Sequence, residues 1–212
     1  QTLTLALSFT LVRSLKAGSV NGLEYPHYWR RTLLAGTAAR ALGEAVGQTL
    51  GEELFLAGLL QDIGMIALDR SRPDMYAGTA ELQHAHPQLL PHERKLIGVD
   101  HAEVGAWLMR QWNLPERLWR AVEGSHKVDT RRALTPEDGF TRCVALSGPL
   151  ADAYLAGPEA RAKGLNETAQ QVERIFGLRR EAFGAVVERI VTMVPEIEAV
   201  FDTSIMPDSD AI

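Results

Sequence analysis

Apolar residues recur along this chain at intervals of three and four, the spacing that stacks side chains on one face of an α-helix. Leu3, Leu7, Leu11 and Leu15 predict a helix over about 2–17, with Gly18 as its stop. After a turn-rich stretch, a second helix is predicted over about 26–42, with Leu33, Leu34, Ala38 and Leu42 on one side. The next segment, about 52–68, is apolar on nearly every side (Leu54, Phe55, Leu56, Leu59, Leu60, Ile63, Ile66). A helix without a polar face must be enclosed, so this one, read as continuous, is expected at the centre of the fold.

Downstream, Pro73 opens a predicted short helix to about His84, and the proline-bearing stretch from His84 to Pro91 reads as a loop. Asp100, with Glu103 three residues on, has the form of a capping box. The helix it starts carries Val104, Trp107 and Leu108, which are expected to face the core. Trp112 is expected at the corner beside Leu114 and Pro115. Pro115 suits the first turn of the next helix, and Thr135-Pro136-Glu137 starts a long one to about Leu155. Two further helices are predicted over about 167–176 and 180–194, ending at Pro195. No alternating strand pattern, internal repeat or low-complexity run is present, so the fold class is all-α.

The chain has 212 residues, 46% hydrophobic and 23% charged, which fits an ordinary globular core. The net charge is −5, and the basic pairs Arg30-Arg31, Arg131-Arg132 and Arg179-Arg180 stand apart. A nucleic-acid partner, which needs a basic stripe, is therefore not expected. Cys143 is the one cysteine and lies in an apolar run, so it reads as an inert buried thiol in a reducing, cytoplasmic setting. No run of apolar residues is long enough to span a membrane, and the start lacks the marks of a signal peptide. The chain opens on Gln1 already inside the apolar pattern, which reads as a segment of a longer protein.

Two strings carry chemistry. Gly58-Leu59-Leu60-Gln61-Asp62-Ile63-Gly64 resembles the signature of the HD superfamily of metal phosphohydrolases, in which a His-Asp pair stands at 61 and 62. Asp100-His101-Ala102-Glu103-Val104-Gly105-Ala106-Trp107-Leu108, followed by Gln111-Trp112-Asn113-Leu114-Pro115, is similar to the HDOD domain family, a degenerate relative of the HD and HD-GYP enzymes. The resemblance runs from about residue 1 to 155. It implies an HD-domain-like multi-helix bundle from which the family's N-terminal helical lobe is missing. Residues 1–155 would be the HD-like core, and 156–212 the C-terminal helices and a junction to a further signalling domain.

The resemblance also implies a metal site whose ligands have changed. The early His of HD enzymes falls at Arg31, and a guanidinium stays protonated and has no lone pair to give. Gln61 replaces the His of the His-Asp pair and offers only a neutral carbonyl oxygen. Gly148 stands where a later Asp is expected, with Asp152 one turn on as a shifted substitute. Asp62 is retained. A buried carboxylate stripped of its cation needs another, and Arg31 is expected to supply it as an ion pair. His101, read either as a structural residue behind its helix cap or as a lining of the remnant pocket, is grouped with His126, Arg31, Gln61, Asp62 and Asp152 as the remnant site. His84, His86 and His92 are read as surface histidines, and His27 as a residue at a helix start. No catalytic residue, metal or cofactor is assigned.

These readings imply a non-catalytic regulatory or interaction domain of bacterial signal transduction, working with protein partners or attached receiver or GGDEF-type modules. Self-association is left open. The alternatives are a metal-dependent phosphohydrolase with non-standard ligands and a small-ligand sensor that uses the vacated pocket.

Overall fold

The computed structural model describes residues 22–205, apart from 73, 85 and 134. The helix expected over 2–17 lies outside the described residues. Those that are described form helices α1 (Tyr25–Ala45), α2 (Gly51–Leu60), α3 (Ile63–Ser71), α4 (Ala80–His84), α5 (Leu89–Ile97), α6 (His101–Gln111), α7 (Glu116–Glu123), α8 (Pro136–Leu155), α9 (Pro158–Phe176) and α10 (Arg180–Phe201). A 3₁₀ turn, His86–Gln88, precedes α5. The architecture is all-α, with no strand among the described residues. None of these helices is long and apolar enough to cross a membrane.

Helix α1 is the hub. It packs against α2 and α8 on two sides, while α9 lies on α8 and α10 returns to α1. On the other side α3 packs on α6, and α6 on α7. Leu54 to Leu68 is buried throughout except for the half-buried Ala67, as its all-round apolar character requires. It is not one helix, however. The chain turns at Gln61-Asp62 and restarts as α3. Both halves are apolar all round, so the break leaves no trace in the periodicity. Its cause is tertiary, because Asp62 is tied to Arg31 and α3 must pass against α6. That passage is very close. A Cβ built on Gly64 would lie 2.0 Å from the His101 carbonyl oxygen.

This approach also corrects the expected orientation of α6. Its buried face is His101, Ala102, Gly105, Ala106 and Met109, a small-residue stripe that lets α3 come near. Trp107 is 57% exposed and Trp112 is 44% exposed, so Trp107 does not face the core. Other boundaries differ too. The stretch read as a loop from His84 to Pro91 contains the 3₁₀ turn and the start of α5, and the short helix before it begins only at Ala80. Helix α9 starts at Pro158, and α10 runs through Pro195 to Phe201. There the burial of Val194, Ile197 and Phe201 outweighs the backbone bond that proline forfeits.

Candidate functional site

The site grows from Asp62, which with Gln61 makes up the fully buried turn between α2 and α3. Its Oδ2 accepts a hydrogen bond from Arg31 Nη1, reaching in from the first half of α1. The same guanidinium donates to Asp152 on α8, Nε to Oδ1 at 2.6 Å and Nη2 to Oδ2 at 3.3 Å. Arg31 is 3% exposed and is thus a buried cation shared by two carboxylates. Burial alone would lift the Asp62 carboxyl, but the Arg31 guanidinium and then His86 outweigh it and hold it well below the usual carboxylate range. Burial likewise works against the Arg31 charge, and the two aspartates more than restore it.

Gln61 and Gly148 complete this side. Gln61 donates back to the Gly58 carbonyl at 3.1 Å, and its Oε1 finds no hydrogen-bond partner. A Cβ on Gly148 would lie 3.1 Å from Arg31 Nη2 and 3.3 Å from Gln61 Oε1. The missing side chain at 148 is therefore the space that the guanidinium uses. Residues 31, 61 and 148 do not fit a cation of the HD type, since they offer a guanidinium, an amide and no side chain at all. Asp62 and Asp152 are both there, but both are engaged by Arg31.

Asp62 Oδ1 faces the opposite way, into a group of imidazoles. His86 Nε2 lies 3.3 Å from it, His126 Nε2 3.2 Å and His101 Nε2 3.6 Å. Yet no N–H is aligned on this oxygen, which is left without a hydrogen-bond partner. The ring nitrogens also converge on each other, with His86 Nε2 3.2 Å and His126 Nε2 2.9 Å from His101 Nε2. The sequence pattern assigns His86 to the surface, but it is 1% exposed and belongs to this group. A histidine in a proline-bearing stretch carries no periodic sign of burial; the 3₁₀ turn, which aims it inward, is a tertiary outcome.

Local structure explains how each ring is held. The capping box forms, with Glu103 N donating to Asp100 Oδ1 and Asp100 N to Glu103 Oε2, and it sets His101 at the first position of α6. Glu93 of α5 then takes both His101 donors, the backbone N–H at 2.8 Å and ring Nδ1 at 2.7 Å. Tyr76 donates to the same carboxylate at 2.6 Å. His126 follows the end of α7, where the Ser125 hydroxyl is turned back onto the Val122 carbonyl. Burial lowers the His86 and His126 imidazoles. In His101 burial is overcome by the carboxylates of Asp62 and Glu93, which raise it to about 9. Glu93 is not among the residues that the sequence motifs single out. Its signal is a glutamate four residues from both Leu89 and Ile97, on what is otherwise an apolar stripe.

Beside this cluster a cavity of about 380 Å³ opens, lined among others by Arg31, His86, Arg94, His126, Lys127 and Asp152. The remaining candidates lie apart from it. His84 is exposed and bonds Glu24 at 2.6 Å, and His27 stacks on it with ring centroids 4.1 Å apart. Cys143 is buried in α8, and burial pushes its thiol up to about 12, so it is no nucleophile at neutral pH.

Comparison with known proteins adds the lineage. The HDOD domain is matched over residues 1–128. An uncharacterized protein of Treponema pallidum (strain Nichols) is 32% identical over 108 residues, which is 50% of this chain and 21% of that protein. The chain thus spans about a fifth of that relative's length. Among solved structures, a Shewanella amazonensis SB2B protein provisionally named a phosphohydrolase superposes with a TM-score of 0.71 at 20% identity, covering 94% of this chain and 70% of its own. The MmoQ response regulator of Methylococcus capsulatus str. Bath gives a TM-score of 0.58 at 24% identity, with 78% of this chain and 62% of that one covered.

Proposed function

We infer the function of this chain from one premise: it belongs to the HDOD domain family. It acts as a non-catalytic regulatory domain of bacterial signal transduction, in which the catalytic metal position of HD phosphohydrolases has been given up. One observation carries this reading. The buried Arg31 guanidinium bonds both Asp62 and Asp152, with Gly148 clearing the space for it. A fixed, permanently protonated cation there occupies the face of Asp62 and Asp152 on which a catalytic metal and its water would lie.

Residues 1–155 serve as the HD-like core, and 156–212 as the C-terminal helices and the junction to an attached receiver or GGDEF-type module. The likeness to a response regulator supports a place in a multidomain signalling protein. The single cysteine, free and buried, is in keeping with a cytoplasmic setting.

A second reading, a small-ligand sensor, is favoured by the cavity beside Arg31, which is lined by charges of both signs, Arg31, Arg94 and Lys127 with Asp100 and Asp152. Hydrolysis decides the main reading. The purified chain is offered an aryl phosphate and a cyclic dinucleotide, each with Mg2+, Mn2+, Fe2+ or Zn2+. Turnover no higher than that of Asp62→Ala is expected. Turnover that Asp62→Ala abolishes would make the domain an enzyme.

A further inference from the structure

We propose that His86, His101, His126 and Asp62 Oδ1 form a closed, four-ligand site for one zinc-class divalent cation, on the face of Asp62 turned away from Arg31. The first argument is shape. The four ligand atoms come from four separate segments and all lie within 4.8 Å of one another. Five of the six edges between them measure 2.9, 3.2, 3.2, 3.3 and 3.6 Å. A tetrahedral ion with bonds of about 2.0–2.1 Å to nitrogen and oxygen requires edges of about 3.3–3.4 Å. The side chains already outline that tetrahedron.

The second argument is the state of the donor atoms. Asp62 Oδ1 is buried and lacks a hydrogen-bond partner, although its sister oxygen is bonded to Arg31. An unmet carboxylate oxygen in the core is costly, and a cation among the imidazoles satisfies it. His101 directs Nδ1 at the Glu93 carboxylate, which keeps a proton on that nitrogen and turns Nε2 to the cluster, where a cation would take the place of the second ring proton. Carboxylate behind imidazole is the usual outer shell of a histidine-bound metal, and Tyr76 in turn holds the carboxylate.

The third argument is ligand chemistry. Three imidazoles and one carboxylate in tetrahedral array suit Zn2+ better than Mg2+ or Ca2+, which prefer six or more oxygens. With four protein ligands and none of the four exposed, the shell leaves no position for a reacting water. That is the pattern of a structural rather than a catalytic zinc site. The cation would pin the 3₁₀ turn and the ends of α6 and α7 to the α2–α3 turn.

The test uses the full chain, stripped with a chelator and titrated with Zn2+ and separately with Co2+. One ion per chain is expected, with a rise in thermal midpoint and the intense visible absorption of four-coordinate Co2+. His86→Gln and His101→Gln should each lose stoichiometric binding while keeping the helical circular dichroism of the parent. Glu93→Gln, which touches no metal, should weaken binding about 10–100-fold. No binding by the parent chain, equal binding by both histidine variants, or a six-coordinate Co2+ spectrum would each overturn the site. Metal without turnover leaves the regulatory reading intact, whereas phosphoester hydrolysis would overturn that reading and leave the site standing.

Discussion

The two oxygens of Asp62 look onto opposite kinds of chemistry. Oδ2 meets a guanidinium whose charge no accessible pH removes, set beside an amide and a glycine that make room for it. Oδ1 meets three imidazoles, which become a cationic neighbour only by taking a proton or a metal. One side is neutralised permanently and the other conditionally. The difference shows how one buried carboxylate can hold a fixed cation on one face and still present a group of imidazole donors on the other.

The largest expected effect comes from breaking the permanent side. Arg31→Met strands two carboxylates, one fully buried, and should destabilise the chain by about 3–5 kcal/mol. Arg31→Met with Asp62→Leu should recover much of that loss, because no buried charge is then left alone at 62. Denaturant titration of the three proteins measures both steps. A single-variant loss under about 1 kcal/mol would mean that the pair behaves as a solvated one.

Next comes the conditional side, reached through the backbone. Gly64→Ala places a methyl 2.0 Å from the His101 carbonyl and must push α6 from α3. A loss of about 1–3 kcal/mol is expected, as for overpacking elsewhere. His101 would move with α6, so the imidazole ring resonances in NMR spectra should shift while Arg31 keeps its two partners. Unchanged imidazole resonances would show that the cluster does not depend on the α3–α6 approach.

A smaller effect lies at the edge of the permanent side. Burial, followed by the stacked His84 and by Arg31, lowers His27 to about 4 from the ordinary 6.5. The unfolded chain therefore takes up this proton first as pH falls. The stability His27 supports is complete above about 6.5 and is lost as pH drops toward 4. His27→Gln should flatten the stability curve across that window, as read from denaturation midpoints at stepped pH. An unaltered slope would place the dependence elsewhere.

The smallest effect is a control on the same helix as His101. Trp107 is exposed, so Trp107→Ala should change stability by no more than about 0.5 kcal/mol and leave the imidazoles undisturbed. A loss of several kcal/mol in a monomer would restore the core-facing orientation that its neighbours Val104 and Leu108 suggest.

Much of the fold is legible in the amino-acid sequence alone. The all-round apolar stretch from Leu54 to Leu68 is buried because nothing along it can face water. The capping box at Asp100 forms because its partners are three residues apart and need only local geometry. Arg31 beside Asp62 could be expected because a buried carboxylate demands a cation. What the chain alone does not reveal is which side chains meet across long separations. His86, His101 and His126 converge on Asp62 only because a 3₁₀ turn, a helix start and a helix end are brought to the α2–α3 turn. Glu93 shares that fate, since its partner His101 belongs to the next helix. Periodicity records which face of one element leaves water, and capping records a few neighbouring residues. The direction of Trp107 and the break at Gln61-Asp62 depend instead on how closely α3 passes α6, which the small side chains of Gly64, Ala102 and Gly105 permit and only the packed whole selects.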